Sequence, residues 1–178
     1  MMPILYALEI LAILLLIVLA GQSDEFKLSR SVKIATPPEK VFPHVNDLHA
    51  WEAWSPWARL DPNAKHSFAG ASSGTGAAMK WEGDCKVGTG KMTITDSRPS
   101  SVIRFRLDFE KPMRATHTAE FTFLPDGSGT VVTWSMSGKN NLIGKVMGLF
   151  MNCDRRVGGH FETGLAQMKS VAEAANKK

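Results

Sequence analysis

Cysteine is nearly absent: Cys85 and Cys153 are the two in 178 residues. They form no CxxC, the cysteine half of the usual structural zinc motif, which argues against a structural zinc site. Two buried free thiols are expected, with a single disulfide as the open alternative. Positive charge is present but thin. Residues 22–178 carry 21 Lys and Arg against 16 Asp and Glu, with no dense basic run and no interleaving of basic with aromatic residues. A chain of this kind does not read nucleic acid. Its mild excess suits plain solubility or a surface near anionic lipids. The Gly- and Ser-rich stretch 70–76 lacks GxxxxGK followed by Ser or Thr, so it is no nucleotide cradle. It reads as a hairpin loop able to act as a lid. Internal repeats and low-complexity tracts are missing too. The 157 residues beyond Gly21 make one ordinary domain with enough chain for a real core.

Charge is also missing from the N-terminus. Glu9 is the one charged side chain between Met1 and Gly21, and Ile10 to Ala20 is an unbroken apolar run of 11. A minimal spanning helix needs about 17–20 apolar residues. A carboxylate near mid-membrane costs roughly 2.5–3.5 kcal/mol, which the surrounding Leu, Ile and Val outweigh. Residues 1–21 are therefore expected to be a membrane anchor or a signal segment, with residues 4–20 meeting the bilayer. No polar position recurs at helical spacing in Ile10–Ala20, unlike in a core helix. Small residues around Ala20 and Gly21 keep cleavage open, and a cleaved product would be periplasmic or secreted. A retained single-pass anchor is favoured because no Lys or Arg precedes the run. Lys27, Arg30, Lys33 and Lys40 follow it, and charge alone does not assign the side of the membrane.

From residue 24 the pattern changes. Phe26, Leu28, Val32 and Ile34 alternate with Lys27, Ser29, Ser31 and Lys33, the period of a half-buried strand over 24–36. Arg30 breaks it by standing on the apolar face. Thr36, Pro37, Pro38 and Glu39 make a helix entrance, Asn46 and Asp47 offer a second cap, and Pro56 is expected to end that helix. Trp51, Trp54 and Trp57 concentrate a large apolar area, either a structural plug or a ligand-facing rim. Six strands are predicted over 64–70, 76–83, 86–97, 101–110, 114–124 and 129–138. With no helix between them they form consecutive antiparallel hairpins. Their inner face is Met79, Trp81, Met92, Ile94, Ile103, Phe105, Leu107, Phe109, Phe121, Phe123, Val132, Trp134 and Met136. Residues 142–151 are apolar nearly all round, a loose helical segment or cap. Val157, Phe161, Leu165, Met168 and Val171 or Ala172 recur every three to four residues, the stripe of an amphipathic helix.

Strand, short helices, six antiparallel strands, long helix: the order is that of an α+β helix-grip fold. Over residues 24–175 the text resembles the SRPBCC superfamily (START/Bet v 1-like), in its polyketide cyclase/dehydrase-like branch. The resemblance is carried by RSVKIATPPEKVF at 30–42, by VNDL at 45–48 with WEAWSPW at 51–57, and by GGHFETGLAQMK at 158–169. It implies a curved antiparallel sheet wrapped around the C-terminal helix, and a cavity between them that holds an apolar ligand. Such a cavity would draw its lining from Trp54, Trp57, Met79, Trp81, Met92, Phe105, Leu107, His117, Phe121, Trp134, Met136, Phe161 and Leu165. Met-rich surfaces adapt to irregular shapes. A fully packed core remains the competing expectation.

Catalytic candidates are thin. His117 and Arg30 both fall on inner faces and could polarise a ketone between them. No other histidine has a partner at useful spacing. Three functions follow: a membrane-tethered binder of a hydrophobic small molecule or lipid, with access gated by 70–76 and 142–152; a cyclase or dehydratase using His117 and Arg30; or an interaction module with a packed core. No cofactor or metal is implied, and a monomer is expected.

Overall fold

The structure, a computed structural model, describes residues 17–139 and 153–176, together with Tyr6, Glu9, Ile10, Ile13, Leu14 and Lys145; residues 153–156 are described by backbone alone. The span expected over 4–20 and the segment expected over 142–151 fall largely outside them. Among the described residues no helix is long and apolar enough to cross a membrane, and no N-terminal apolar helix is among the described elements.

Strand β1, Glu25–Ile34, forms where alternation predicts it. Helices α1, Pro38–Val41, and α2, Pro43–Asn46, follow, each opened by a proline whose missing N–H has no helical partner to lose. Asp47 then caps a 3-10 turn, Leu48–Ala53, its carboxylate accepting from His49 N at 2.9 Å. Asn46, the other expected cap, instead accepts from Ser97 Oγ at 2.6 Å. Pro56 does not end a helix. The 3-10 turn stops before it, and Pro56 opens helix α3, Pro56–Leu60. The residue before a proline is driven to extended backbone, and Ser55 is extended here.

Six strands come next: β2 Lys65–Ala69, β3 Ala78–Glu82, β4 Thr89–Arg98, β5 Val102–Lys111, β6 Ala115–Asp126 and β7 Gly129–Lys139. They pair antiparallel in the order β1-β7-β6-β5-β4-β3-β2. β1 adds to β7 in register from Glu25↔Lys139 to Ile34↔Thr130. On β4 the register skips Thr95, between Ile94↔Phe105 and Asp96↔Arg104. An extra residue of this kind bends its strand and helps the sheet curl. The outer face carries exposed pairs, Arg104 with Glu120 at 2.5 Å and Arg106 with Asp108 at 3.0 Å. Solvent screens such exposed pairs, so they add little to stability. Cys85 also corrects an expectation: it is exposed and free, in the β3–β4 connection where Asp84 accepts from the backbone of Lys86 and Val87.

Helix α4, Cys153–Ala175, lies against the concave face. Phe161, Leu165, Met168 and Ala172 are its buried stripe. From Glu162 onward it is clamped to the first strand, the first helix and the link between them. Arg30 Nε pairs with Glu162 at 2.7 Å, Lys169 Nζ donates to Lys33 O at 2.8 Å, Glu173 accepts from Ala35 N at 2.8 Å, and Lys40 Nζ donates to Asn176 at 2.7 Å. Gly164 sets the approach of the helix. A Cβ there would stand 2.9 Å from Pro56 Cδ and 3.0 Å from the Trp134 ring. Helix propensity favours Gly→Ala by about 1 kcal/mol, but both neighbours are rigid rings. Overpacking of about 1–3 kcal/mol should win, so Gly164→Ala is expected to lower the midpoint of urea unfolding.

Candidate functional site

The core is not solid. At one end of the concave face, Ile34, Ile94, Ile103, Phe121, Phe123 and Val132 are almost wholly buried in one cluster with Trp54, Leu165 and Met168. At the other end the sheet presents small groups between its large ones. Ala115 and Ala119 on β6 line an open space there, their small side chains leaving it unfilled. A cavity of about 480 Å³ results, bounded by the sheet, the 3-10 turn, α3 and the first turns of α4. That is within the range of sites for drug-sized molecules.

Ten of the thirteen residues expected to line such a cavity do so: Trp57, Met79, Trp81, Met92, Phe105, Leu107, His117, Trp134, Met136 and Phe161. Trp54, Phe121 and Leu165 do not; they are fully buried in the packed end. The tryptophans divide the same way. Trp54 is plug, donating from Nε1 to His44 O at 2.8 Å. Trp51 and Trp57 face the cavity. Trp134 ties the two regions together, stacked on Phe161 at 4.0 Å and 4° and on Phe121 at 4.7 Å.

Several lining residues escape local pattern, among them Val87, Lys111, Met113 and Ala119. Lys111 ends β5 and Met113 lies in the connection after it, where periodicity stops; Ala119 contributes by being small. The exposed members of the lining, including Glu52, His66, Phe68, Lys111 and Met113, show where the cavity reaches the surface. The 70–76 loop is not among them. It is pinned elsewhere, Gly74 N donating to Asn46 O at 3.0 Å and Gly76 N to Ile94 O at 2.9 Å. The other expected gate, 142–152, lies largely outside the described residues.

His117 and Arg30 are not brought together. His117 pairs with Gly138 on β7 and Arg30 with Trp134, four residues apart along that strand. At about 3.3 Å per residue the separation is roughly 13 Å along the strand direction. Arg30 is engaged by Glu162 and by the Ser29 carbonyl, and it does not line the cavity. His117 does. Its ring meets Phe26 edge-on at 4.9 Å and Phe109 at 5.4 Å, and its Nδ1 is buried without a partner. Burial holds the imidazole below the ordinary histidine range. His44 is lowered by the same cause. Unfolded, both rings titrate near 6.5. Just below that pH the unfolded chain therefore binds more protons than the folded one, so stability rises with pH there and falls on acidification. Urea unfolding at pH 7.5 and pH 5.5 should show the lower stability at pH 5.5, with a smaller difference in His117→Leu.

No His, Cys, Asp or Glu cluster among the described residues could hold a metal ion. What the arrangement offers is a large apolar cavity with a curved aromatic and Met-rich wall, the helix-grip architecture of the SRPBCC superfamily. The polyketide cyclase / dehydrase and lipid transport family matches residues 25–173, and the chain belongs to it. No curated protein matches the sequence. Solved structures establish the fold. A Nitrosospira multiformis protein is 16% identical, with 86% of this chain and 100% of that one covered and a TM-score of 0.61. Protein CV1439 of Chromobacterium violaceum is 15% identical, covering 84% and 97%, with a TM-score of 0.59. The Aha1 dimer of Colwellia psychrerythraea is 14% identical, covering 83% and 96%, with a TM-score of 0.57.

Proposed function

We propose that this protein holds a hydrophobic small molecule or lipid in the cavity beneath α4, and does so at a membrane to which residues 4–20 tether it. The observation that carries the binding is the cavity of about 480 Å³ with an apolar lining. Burying apolar ligand surface there is worth roughly 25 cal/mol per Å² before the costs of association. The tether is supported by the exposure of Ile10, Ile13, Leu14, Ile17 and Val18, each about half or more accessible. A bilayer would cover such a patch. A ligand that partitions into membranes suits a binder kept beside one.

A cyclase or dehydratase on the same scaffold is the second reading, favoured by His117 in the cavity wall. It requires His117→Ala to abolish turnover while apolar binding persists. Displacement of a cavity-bound environment-sensitive fluorophore by fatty acids, sterols and polyaromatic ketones tests the first reading. Saturable, competitive displacement supports it. Fluorophore binding that no apolar competitor displaces counts against it.

A further inference from the structure

We infer that His117 is a hydrogen-bond donor within the cavity, selecting ligands that present an oxygen acceptor, such as a ketone or ester, over hydrocarbons of the same shape. The inference rests on the ligand-holding reading above. The ring's surroundings carry it. Its Cγ–Cδ2 side lies over Gly138, where an added Cβ would stand 2.5 Å from Cδ2 and 3.1 Å from Cγ. Nδ1 is enclosed and unpartnered. Phe26 and Phe109 pack on the ring. His117 nevertheless lines the cavity, and Nε2, unlike Nδ1, is not among the buried unpartnered atoms, which leaves the Cε1–Nε2 edge to reach it.

A neutral imidazole has one N–H and one bare nitrogen. Buried N–H groups without partners are rarer than under-satisfied acceptors, so the proton belongs on Nε2 and the lone pair on enclosed Nδ1. Phe26, Phe109 and Gly138 stand against the ring, and burial, with no neighbouring charge, is what acts on it. The cavity wall around it is apolar, with Phe109, Leu107, Ala119 and Met136 among its members. An Nε2–H there gains a bond when a ligand offers an oxygen, and stays unpaired when it does not. A site built to hydrogen-bond a ligand discriminates through the cost of that unpaired group.

The test compares 9-fluorenone with fluorene, which share a ring skeleton and differ in the ketone. Affinities are measured on the full chain, on His117→Leu and on His117→Gln, whose amide nitrogen restores a donor near the Nε2 position. Ala119→Trp, which fills the cavity, supplies the non-cavity background. The native chain should favour fluorenone over fluorene by roughly three- to tenfold more than His117→Leu does, with His117→Gln recovering part of that preference. In ¹⁵N spectra the free imidazole should be the Nε2–H tautomer, and its Nε2 signal should shift with fluorenone but not with fluorene. An unchanged preference in His117→Leu, or an Nδ1–H tautomer, would overturn the assignment and leave the cavity reading intact. Binding of neither compound above the Ala119→Trp background would overturn both. Should His117→Leu fail to fold, His117→Gln and the tautomer measurement decide alone.

Discussion

Replacing Trp134 with alanine should destabilise the domain by about 3–5 kcal/mol, the usual range for an aromatic residue removed from a core. The position explains why the upper end is expected. Trp134 stacks face to face on Phe161 of α4 and on Phe121 of β6, and takes edge-on contacts from Trp51, Trp54 and Trp57. Removing it cuts the joint between sheet, helical wall and long helix. The space it leaves merges with the cavity that Trp134 lines, so the walls cannot collapse to close it. Trp134→Phe separates ring from indole. Its Nε1 is buried without a partner, and the smaller ring disposes of that unpaired donor while keeping most of the stack. A loss of about 1.5 kcal/mol or less is expected, as for a shape-tolerant apolar exchange. Urea denaturation of the two variants measures both numbers. Equal losses would mean that the stacked geometry is not what holds the helix.

The second large effect is on binding. Ala119 lies at the middle of β6, between Phe105 and Met136 on the flanking strands, with its methyl group facing the cavity. Ala119→Trp places an indole in that space. Ligand affinity should fall by more than tenfold. Stability should change by no more than about 1–3 kcal/mol in either direction, because the new ring fills a void before it meets packed atoms. Loss of binding with the fold retained identifies the cavity as the site. Undiminished binding would place the ligand elsewhere, and unfolding measurements on the same sample exclude loss of fold as the cause.

Much of this is legible in the sequence for a physical reason. Period-two alternation is dictated by which face of a strand is wet, so spacing alone assigns Met79, Trp81, Ile103, Phe105, Phe121 and Trp134 to one interior. The stripe at Phe161, Leu165 and Met168 marks the helix that covers them. Periodicity is silent about depth, however. It puts Trp54, Phe121 and Leu165 on the same footing as Met92 and Leu107, although the first three lie in solid core and the last two face open space. That distinction depends on what stands across the layer, where alanine and glycine act by leaving room. Local rules also mislead at Pro56. A proline can terminate one helix or open another, and at Pro56 it opens one, after the Trp54 and Ser55 backbone has already left the 3-10 turn. Arg30 is visible as a polar intruder on an apolar face. Its partner, Glu162, stands 132 residues away, beyond the reach of local pattern.

The central claim is that the cavity carries an apolar molecule. Native mass spectrometry of the full chain, released from detergent after incubation with a mixed lipid extract and followed by organic extraction, tests it most directly. A single stoichiometric adduct is expected, extractable as an apolar compound and absent from Ala119→Trp. A chain that stays at its own mass throughout, or an adduct that Ala119→Trp retains, would contradict it.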